Sequence, residues 1–240
     1  MNRPEKRNAV NWPMHRGLEQ IFRELGRDPD VGAIILTGAP PAFCAGGDMQ
    51  GFNNPDERPI DMFRGNRDLT WDMAACEAPL ISAVNGPATG LGATLALMCD
   101  VIFMAESARI GDTHVNMGLV AGDGGCVIWP LLVGPHIAKE YLMSGQLMDG
   151  PRAAEAGLVN HCVPDAELMD RAREYAQLLN QRPQPAVRWT KLAVNKMLQN
   201  QLNMVMDFSL GAELLSSGTP DQLESVAAFF EKRKPKFSGY

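Results

Sequence analysis

The sequence predicts an α/β fold. Three short apolar segments, 31–37, 79–86 and 101–105, have the composition of buried strands, and segments with helical signals separate them. This alternation is typical of parallel strands that are joined by right-handed crossover helices. From Gly124 onward the pattern is mainly helical, so we expect a helical region to follow the sheet.

The first helix is predicted from about Pro13 to Leu25. Apolar residues recur within it at helical spacing, Asn11 can cap it, and Gly26 ends it. The next helix is predicted over about 60–78, before the second strand.

The later elements follow from the same kind of signal. The sequence Asn-Gly-Pro marks the turn after the second strand. A helix opens at the glycines of "GLGATLALMCD", and "VNHCV" is predicted to be a short strand among the C-terminal helices.

Charge and cysteine content narrow the classes of function. The 22 basic and 28 acidic residues give a net charge of -6, which argues against nucleic acid as the main partner. The basic tail at 232–236 is either a solvated terminus, the plainer interpretation, or a contact for a small polyanion. Five scattered cysteines without a C-x-x-C pair predict reduced thiols and no zinc site.

The sequence shows neither the apolar stretch of a signal peptide at its N-terminus nor a segment typical of a membrane span. The N-terminus is polar and charged, and no apolar segment has the length of a membrane span. We therefore expect a cytoplasmic protein with no membrane partner.

Several common site motifs are excluded. Gly90-Leu91-Gly92 follows a strand, but the third glycine of a dinucleotide fingerprint would fall at Leu95. The sequence has no phosphate-binding P-loop, no H-E-x-x-H and no G-x-S-x-G. Its four histidines are far apart, so we predict no metal site.

Two Gly-rich loops remain, "CAGGD" at 44–48 and "GPATGLGA" at 86–93, each after a buried strand. Glycine lets the backbone approach a ligand closely and direct its N–H groups at it. Two such groups that converge on one oxygen form an oxyanion hole, which stabilises a carbonyl as it gains negative charge. Because parallel strands place ligands at their carboxyl edge, the two loops predict a shared site.

A third segment, 108–125, holds the densest set of proton carriers, Asp112, His114 and Asp123. Each alone has a plain structural explanation, as a turn residue, a core histidine or a residue that stabilises a helix N-terminus. Together they indicate acid–base chemistry, because the usual pKa of histidine suits proton transfer.

Four motifs in this order, "NRPEKRNAVN", "FCAGGDM", "AVNGPATGLGATLALMCDV" and "GLVAGDGG", resemble the crotonase superfamily, the enoyl-CoA hydratase/isomerase family. The resemblance covers nearly the whole chain. It implies a crotonase-like core of stacked strand-strand-helix units over 1–185, and a C-terminal helical region over 186–240 that covers the site and builds trimers or hexamers. It also implies a coenzyme A thioester as the ligand and no cofactor, since coenzyme A is part of the substrate.

The resemblance assigns roles to the Gly-rich loops. The N–H groups of Gly47 and Leu91 correspond to the family's two oxyanion donors. Ala45 lies where the adenine end of coenzyme A is recognised by the backbone, and Lys6 or Arg7 is a phosphate contact. The residues placed around the substrate in this way are Ala45, Lys6, Arg7, Asp48 and Gly90.

The sequence departs from the family at the two glutamates with which hydratases activate water, because it has Thr94 and His114 there. The oxyanion donors are kept, so stabilisation of a thioester enolate is kept with them. His114 becomes the first candidate for acid or base and Asp123 the second. Asp112 is weaker, and stands where hydratases have a glutamine.

These departures leave several functions open. The leading hypothesis is an enolate-forming isomerase, a lyase or an atypical hydratase. The alternatives are an orthodox hydratase that uses His114, Thr94 and Asp123 in place of the glutamates, and an acyl-CoA-binding protein without catalysis. RNA binding is disfavoured by the acidic charge.

Two further expectations concern the edges of the molecule. The polar stretch 53–67 is expected to form a wall of the acyl pocket, and Met117 and Trp129 either line that pocket or belong to the core.

Family members carry roughly one more hairpin before "NRPEKRNA". Either the sequence starts late or the sheet lacks an edge strand, and the apolar surface that a missing edge would expose favours the first.

Overall fold

The computed structural model describes residues 1–48 and 59–239. The strands are β1 (Ile34–Thr37), β2 (Leu80–Val84), β3 (Ala88–Thr89), β4 (Val101–Ala105), β5 (Arg109–Gly111), β6 (Met148–Asp149) and β7 (His161–Val163). The α-helices are α1 (Trp12–Arg27), α2 (Pro59–Ala75), α3 (Leu91–Leu97), α4 (Gly125–Ser144), α5 (Gly150–Glu155), α6 (Leu168–Asn180), α7 (Gln184–Gln201), α8 (Asp207–Ser216) and α9 (Pro220–Glu231).

The α/β prediction is confirmed by a four-stranded sheet in the order β1-β2-β4-β7, in which every neighbouring pair is parallel. The central strand β2 is buried along its whole length, which explains its uninterrupted apolar sequence. Register pairs Ile35 with Ile81 and Ala83 with Phe103. The carboxyl ends of β1 and β2 therefore lie together, and both Gly-rich loops start from this edge.

A second, smaller sheet has the order β3-β5-β6. Strand β3 pairs with β5 in parallel, with Thr89 opposite Gly111, and β5 pairs with β6 antiparallel. No sequence pattern predicts this sheet, because strands of two or three residues are too short to show a periodicity. Its register places the segment after Gly111 beside the glycines at 90–92, and this brings the site together.

Element ends differ from the prediction where a tertiary contact or a proline decides them. Helix α2 ends at Ala75 rather than 78 because the residue before Pro79 is disfavoured in helical conformation. Strand β1 starts at Ile34 rather than 31, since Val31 closes a turn onto Asp28 and its carbonyl accepts a hydrogen bond from Arg188. All five cysteines are free thiols, as their scatter predicted.

Helix α7 is fixed to the rest of the fold by two buried cations. The guanidinium of Arg188 donates to the carbonyls of Gly26, Asp28 and Val31, and the Lys191 ammonium donates to the Ala78 carbonyl.

The division of the chain at residue 185 stays a prediction. Among the described helices, none is both long enough and apolar enough to cross a membrane.

Candidate active site

The first Gly-rich loop is held by the first ten residues of the chain. The Ala45 N–H donates to the Arg7 carbonyl at 3.0 Å, and Val10 exchanges hydrogen bonds with Gly46 and Asp48. In this parallel pairing Gly47 stands opposite Val10 and does not use its own N–H toward it. The Gly47 amide is therefore directed to the other edge of the loop, the edge that faces β3.

The second Gly-rich loop lies along that edge. Thr89 donates its N–H to the Cys44 carbonyl at 3.0 Å, and Cys44 donates to the Pro87 carbonyl. Leu91 is the first residue of α3, and the N–H of a first helical residue has no acceptor within its helix. The two amides expected to serve as oxyanion donors thus belong to loops that pair directly with each other.

The residues expected around coenzyme A also meet at the first loop. Lys6 and Arg7 are exposed on a turn whose last carbonyl receives the Ala45 N–H. Asp48 forms an ion pair with Arg3, with 2.9 Å between Oδ2 and Nη1. Sequence reasoning missed Arg3, because nothing local in "NRPEK" shows that it reaches across 45 positions to this loop.

The expected acid–base residues come together in one buried hydrogen-bonded group, which we call the triad: Asp112, His114 and Asp123. His114 Nδ1 lies 2.7 Å from Asp112 Oδ1, and His114 Nε2 lies 3.3 Å from Asp123 Oδ2. Thr94 Oγ1 donates to Asp123 Oδ1 at 3.0 Å. The side chain of His114 is 13% exposed and that of Asp123 is 2% exposed, so the imidazole is the more accessible member.

Local backbone geometry sets these positions. The Gly90 N–H donates to the Gly111 carbonyl at 3.2 Å, and the Asp112 carboxylate accepts the backbone N–H of His114 at 3.1 Å. Gly124, directly after Asp123, has φ 127°, and a Cβ on it would lie 2.6 Å from Thr94 Cγ2. A glycine is therefore required for Asp123 to approach Thr94.

The triad also lies against the second Gly-rich loop. A Cβ on Gly90 would lie 3.5 Å from His114 Cε1, which is ordinary contact with the ring. Gly90 immediately precedes Leu91, the start of α3. The imidazole thus packs beside the backbone from which one expected oxyanion donor comes.

The triad holds His114 in its charged form. Burial alone would lower the pKa of His114, but the charges and hydrogen bonds of Asp112 and Asp123 outweigh it and raise that pKa well above its usual value. A buried imidazolium between two carboxylates satisfies the rule that buried charges are paired. An imidazolium can donate a proton but not accept one, so in this form His114 has a proton to give and none to take.

Sequence reasoning missed Glu213 on α8. Its Oε2 is buried and has no hydrogen-bond partner in the described part of the chain. Burial raises the pKa of Glu213 to about 8; the charge of His114 opposes the rise and those of Asp123 and Asp112 add to it. The available signal was a carboxylate inside the otherwise apolar stretch "LGAELL".

Trp129, Met117 and the stretch 53–67 were the residues expected at the acyl pocket. Trp129 is fully buried and stacks on Tyr141 with 5.9 Å between ring centroids, so the core interpretation is confirmed. Met117 is half-buried in the short turn 114–117. Of the expected pocket wall at 53–67, residues 53–58 lie outside the described residues.

Within the described residues, the triad is also the group whose side chains come closest to a cation-binding geometry. One ligand atom from each residue lies within 4.8 Å of the others. Both ring nitrogens of His114 already face a carboxylate oxygen, so an ion would have to displace these contacts. The geometry is that of a hydrogen-bonded triad, and the independence of the protein from metals stays a prediction.

The fold and the paired Gly-rich loops define a member of the crotonase superfamily. The chain belongs to the enoyl-CoA hydratase/isomerase family, whose model matches residues 1–240. A Mycobacterium tuberculosis protein named "Probable enoyl-CoA hydratase echA8" is 36% identical over 99% of this chain and 92% of its own length. The "1,2-epoxyphenylacetyl-CoA isomerase" of Escherichia coli is 32% identical over 100% of this chain and 93% of its own.

A solved structure confirms the fold. The crystal structure of an enoyl-CoA hydratase/isomerase from Mycobacterium paratuberculosis superposes with a TM-score of 0.89 and 37% identity, over 94% of this chain and 91% of that one. The resemblance recognised from the four sequence motifs is therefore correct, and the protein is an acyl-CoA-processing enzyme of this family.

Proposed function

We propose that the protein is an acyl-CoA isomerase that forms a thioester enolate and moves a proton between two carbons of the acyl chain. The observation that carries this proposal is the ion pair within the triad. It places a buried carboxylate, Asp123, beside an acid, His114, at the loops of the expected oxyanion hole. An orthodox hydratase has two glutamates where this chain has Thr94 and His114.

The oxyanion hole is proposed to consist of the N–H groups of Gly47 and Leu91. Both would donate to the thioester oxygen, which gains negative charge when the enolate forms. One such donor is worth about 3 kcal/mol of transition-state stabilisation in known enzymes. The leucine side chain is no obstacle, because the donor is a backbone group.

Asp123 is proposed as the base. Its carboxylate takes a proton from the carbon next to the thioester carbonyl or from its vinylogous position, and the electron pair of the broken C–H bond moves to the thioester oxygen. The Asp123 carboxyl then returns the proton to the other carbon, so the double bond shifts and no atom is lost. His114, held by Asp112, balances the charge of Asp123 and is the acid of the pair.

Coenzyme A is proposed to bind along the first Gly-rich loop, with the adenine end at Ala45 and the phosphates near Lys6 and Arg7. The exposed positions of these residues on adjoining turns support this placement. The protein as a whole is acidic, so the side chains of Lys6 and Arg7 would supply the local positive charge that a phosphate needs.

Hydration is the second candidate function, because a relative that is 36% identical carries a hydratase name. In that case Asp123 and His114 would activate water instead of moving a carbon-bound proton. The isomerase proposal has support from the E. coli relative, whose name is that of an isomerase.

The enzyme is also proposed to assemble as a homotrimer or a hexamer. Apolar side chains on α7, the following turn 202–206, α8 and α9 are more than half exposed in the single chain, and an assembly would bury such a surface. These side chains are Trp189, Val194, Met197, Met204, Phe208, Leu215, Leu223, Phe229 and Phe230. Light scattering on the eluting peak of a size-exclusion column tests the assembly, and a monomer would contradict it.

The reaction is tested by exchange of solvent deuterium into the α-carbon of a panel of acyl-CoA thioesters, followed by mass spectrometry. The wild type is compared with Asp123→Asn and with the exposed control Asp30→Asn. We expect exchange that falls by at least about 100-fold in Asp123→Asn and not in the control. No exchange with any bound thioester, together with turnover of crotonyl-CoA, would establish the hydratase instead.

A further inference from the structure

One carboxyl oxygen of Glu213, which lies near the triad, has no hydrogen-bond partner among the described residues. Its Oε2 is buried, and a Cβ on Gly122, one residue before Asp123, would lie only 2.5 Å from that oxygen. The loop before α4 therefore approaches the Glu213 carboxyl as closely as a backbone without a side chain allows.

Two hydrogen bonds hold α8 against this loop. Ser209 Oγ donates to the Gly122 carbonyl at 3.0 Å, and the Val120 N–H donates to Ser216 Oγ at 3.2 Å. They lie on either side of Glu213 along the helix. The stretch of α8 that carries Glu213 is thus held to the loop before Asp123 at both of its ends.

A stabilising role alone does not account for this residue. Buried polar atoms are nearly always hydrogen-bonded, and an unsatisfied one costs free energy of folding. Glu213 Oε2 is such an atom, since it has no hydrogen-bond partner in the described part of the chain. A leucine, of which α8 and its neighbourhood have several, would fill the same space without that cost.

The charged and titratable groups that face Glu213 belong mainly to the triad. Asp112 and His114 come from the segment after β5, Asp123 from the loop before α4, and the Cys126 thiol from α4 itself. The ion pair between Arg67 of α2 and Asp207 of α8 lies at the surface, with both side chains about half exposed or more. The carboxyl of Glu213 is therefore coupled to His114 and Asp123 above all.

We propose that Glu213 is a positioning residue that sets the charge around the triad: as a neutral acid it adds no charge to the two carboxylates and the imidazolium, and as a carboxylate it adds a negative charge that disfavours the enolate anion. The consequence for proton transfer rests on the proposed function. The electrostatic coupling itself does not.

The charge coupling is tested by NMR on protein labelled with ¹⁵N in its histidines, with the His114 signals assigned from a His114→Gln variant. In the wild type we expect a step in the His114 shifts near pH 8, where Glu213 ionises. The step should vanish in Glu213→Gln, which keeps the shape of the neutral acid but cannot ionise. A step that persists unchanged in Glu213→Gln overturns the proposal.

Two further variants separate charge from structure. Glu213→Asp keeps an ionisable group and should move the step rather than remove it. If Glu213→Gln does not fold, Glu213→Asp tests the charge coupling in its place. Ser209→Ala removes one contact between α8 and the loop without a change of charge, and the step should stay. If the step were lost in Ser209→Ala but kept in Glu213→Gln, it would report the position of α8 and not the charge of Glu213. That result would overturn the proposal.

The effect on chemistry is measured as α-carbon deuterium exchange from pH 6 to 9.5. In the wild type we expect exchange to fall about tenfold per pH unit above pH 8, as the neutral acid is lost, and this fall should be absent in Glu213→Gln. A fall that is the same in both proteins contradicts the role of Glu213. Absence of exchange in every protein, with the NMR step present, would overturn the proposed function and leave the coupling intact.

Discussion

The hydroxyl of Thr94, in the middle of α3, donates a hydrogen bond to Asp123, which lies just before α4, over 3.0 Å. By the resemblance of its sequence motifs to the family, Thr94 stands at one of the two positions at which hydratases are expected to have a glutamate. A glutamate here would add another carboxylate next to Asp123, whereas threonine supplies a neutral donor. Threonine at position 94 therefore suits a site in which Asp123 is the carboxylate.

Replacement of Thr94 by valine is expected to destabilise the fold by about 1–3 kcal/mol, because Asp123 Oδ1 would lose its donor while it stays buried. Urea unfolding of Thr94→Val and of the control Thr94→Ser measures the effect. The serine variant should lie within about 1 kcal/mol of the wild type. A loss in Thr94→Ser without a loss in Thr94→Val would show that the methyl packing and not the hydroxyl matters.

Replacement of His114 by glutamine is expected to cost about 3–5 kcal/mol of stability, because Asp112 and Asp123 would remain buried without a cation. The pKa of His114 is raised in the folded protein, so its stabilisation is complete below pH 6.5 and is lost as the pH rises through the raised value. The difference between variant and wild type should therefore shrink at alkaline pH.

Unfolding of His114→Gln at a series of pH values measures this dependence, with the exposed His136→Gln as control. The double variant His114→Gln/Asp112→Asn should recover part of the loss, since it removes one of the two unpaired charges. A loss that is the same at every pH would contradict the imidazolium.

Glu213 is expected to make the fold less stable as the pH rises. Its pKa is 4.5 in the unfolded chain and about 8 in the folded protein, so the folded state binds an additional proton between these values. Stability therefore falls across this window, by roughly 3–5 kcal/mol in total. Thermal unfolding of wild type and Glu213→Gln at pH 5, 7 and 9 should show a growing advantage of the variant.

Removal of the cations at the first Gly-rich loop is expected to weaken coenzyme A binding. The double variant Lys6→Ala/Arg7→Ala should raise the Kd for an acyl-CoA about tenfold at low salt, and less at high salt, because exposed charges are screened. Isothermal titration measures Kd, and Arg171→Ala on α6 is the control for loss of a surface cation. Equal Kd values in the two variants would place the phosphates elsewhere.

Sequence reasoning found the parts of this molecule that local pattern encodes. The apolar strands β2 and β4, the helix capped by Asn11 and the glycines at 90–92 were all visible as short-range signals. His114, Asp112 and Asp123 were identified because they are close in sequence and chemically distinctive. Their mutual hydrogen bonds confirm that they form one group.

The missed features depend on contacts between distant segments. Arg3 reaches Asp48, and Glu213 reaches Gly122, only once the chain has folded, so neither has a local signature. The same holds for the three-stranded second sheet, in which β3 and β6 have two residues each. Protonation is a further case, since the charge of His114 follows from two carboxylates that meet it in the folded state.

The hydrogen bonds that fix α8 over the triad have a consequence for the order in which the protein refolds. They join residues 87 and 96 positions apart, and contacts of such separation carry a large loop-closure cost before they form. Helical circular dichroism should therefore return before catalytic competence does. The interval between the two signals would measure how long the chain exists as a nearly complete fold with its acid–base residues still open to water.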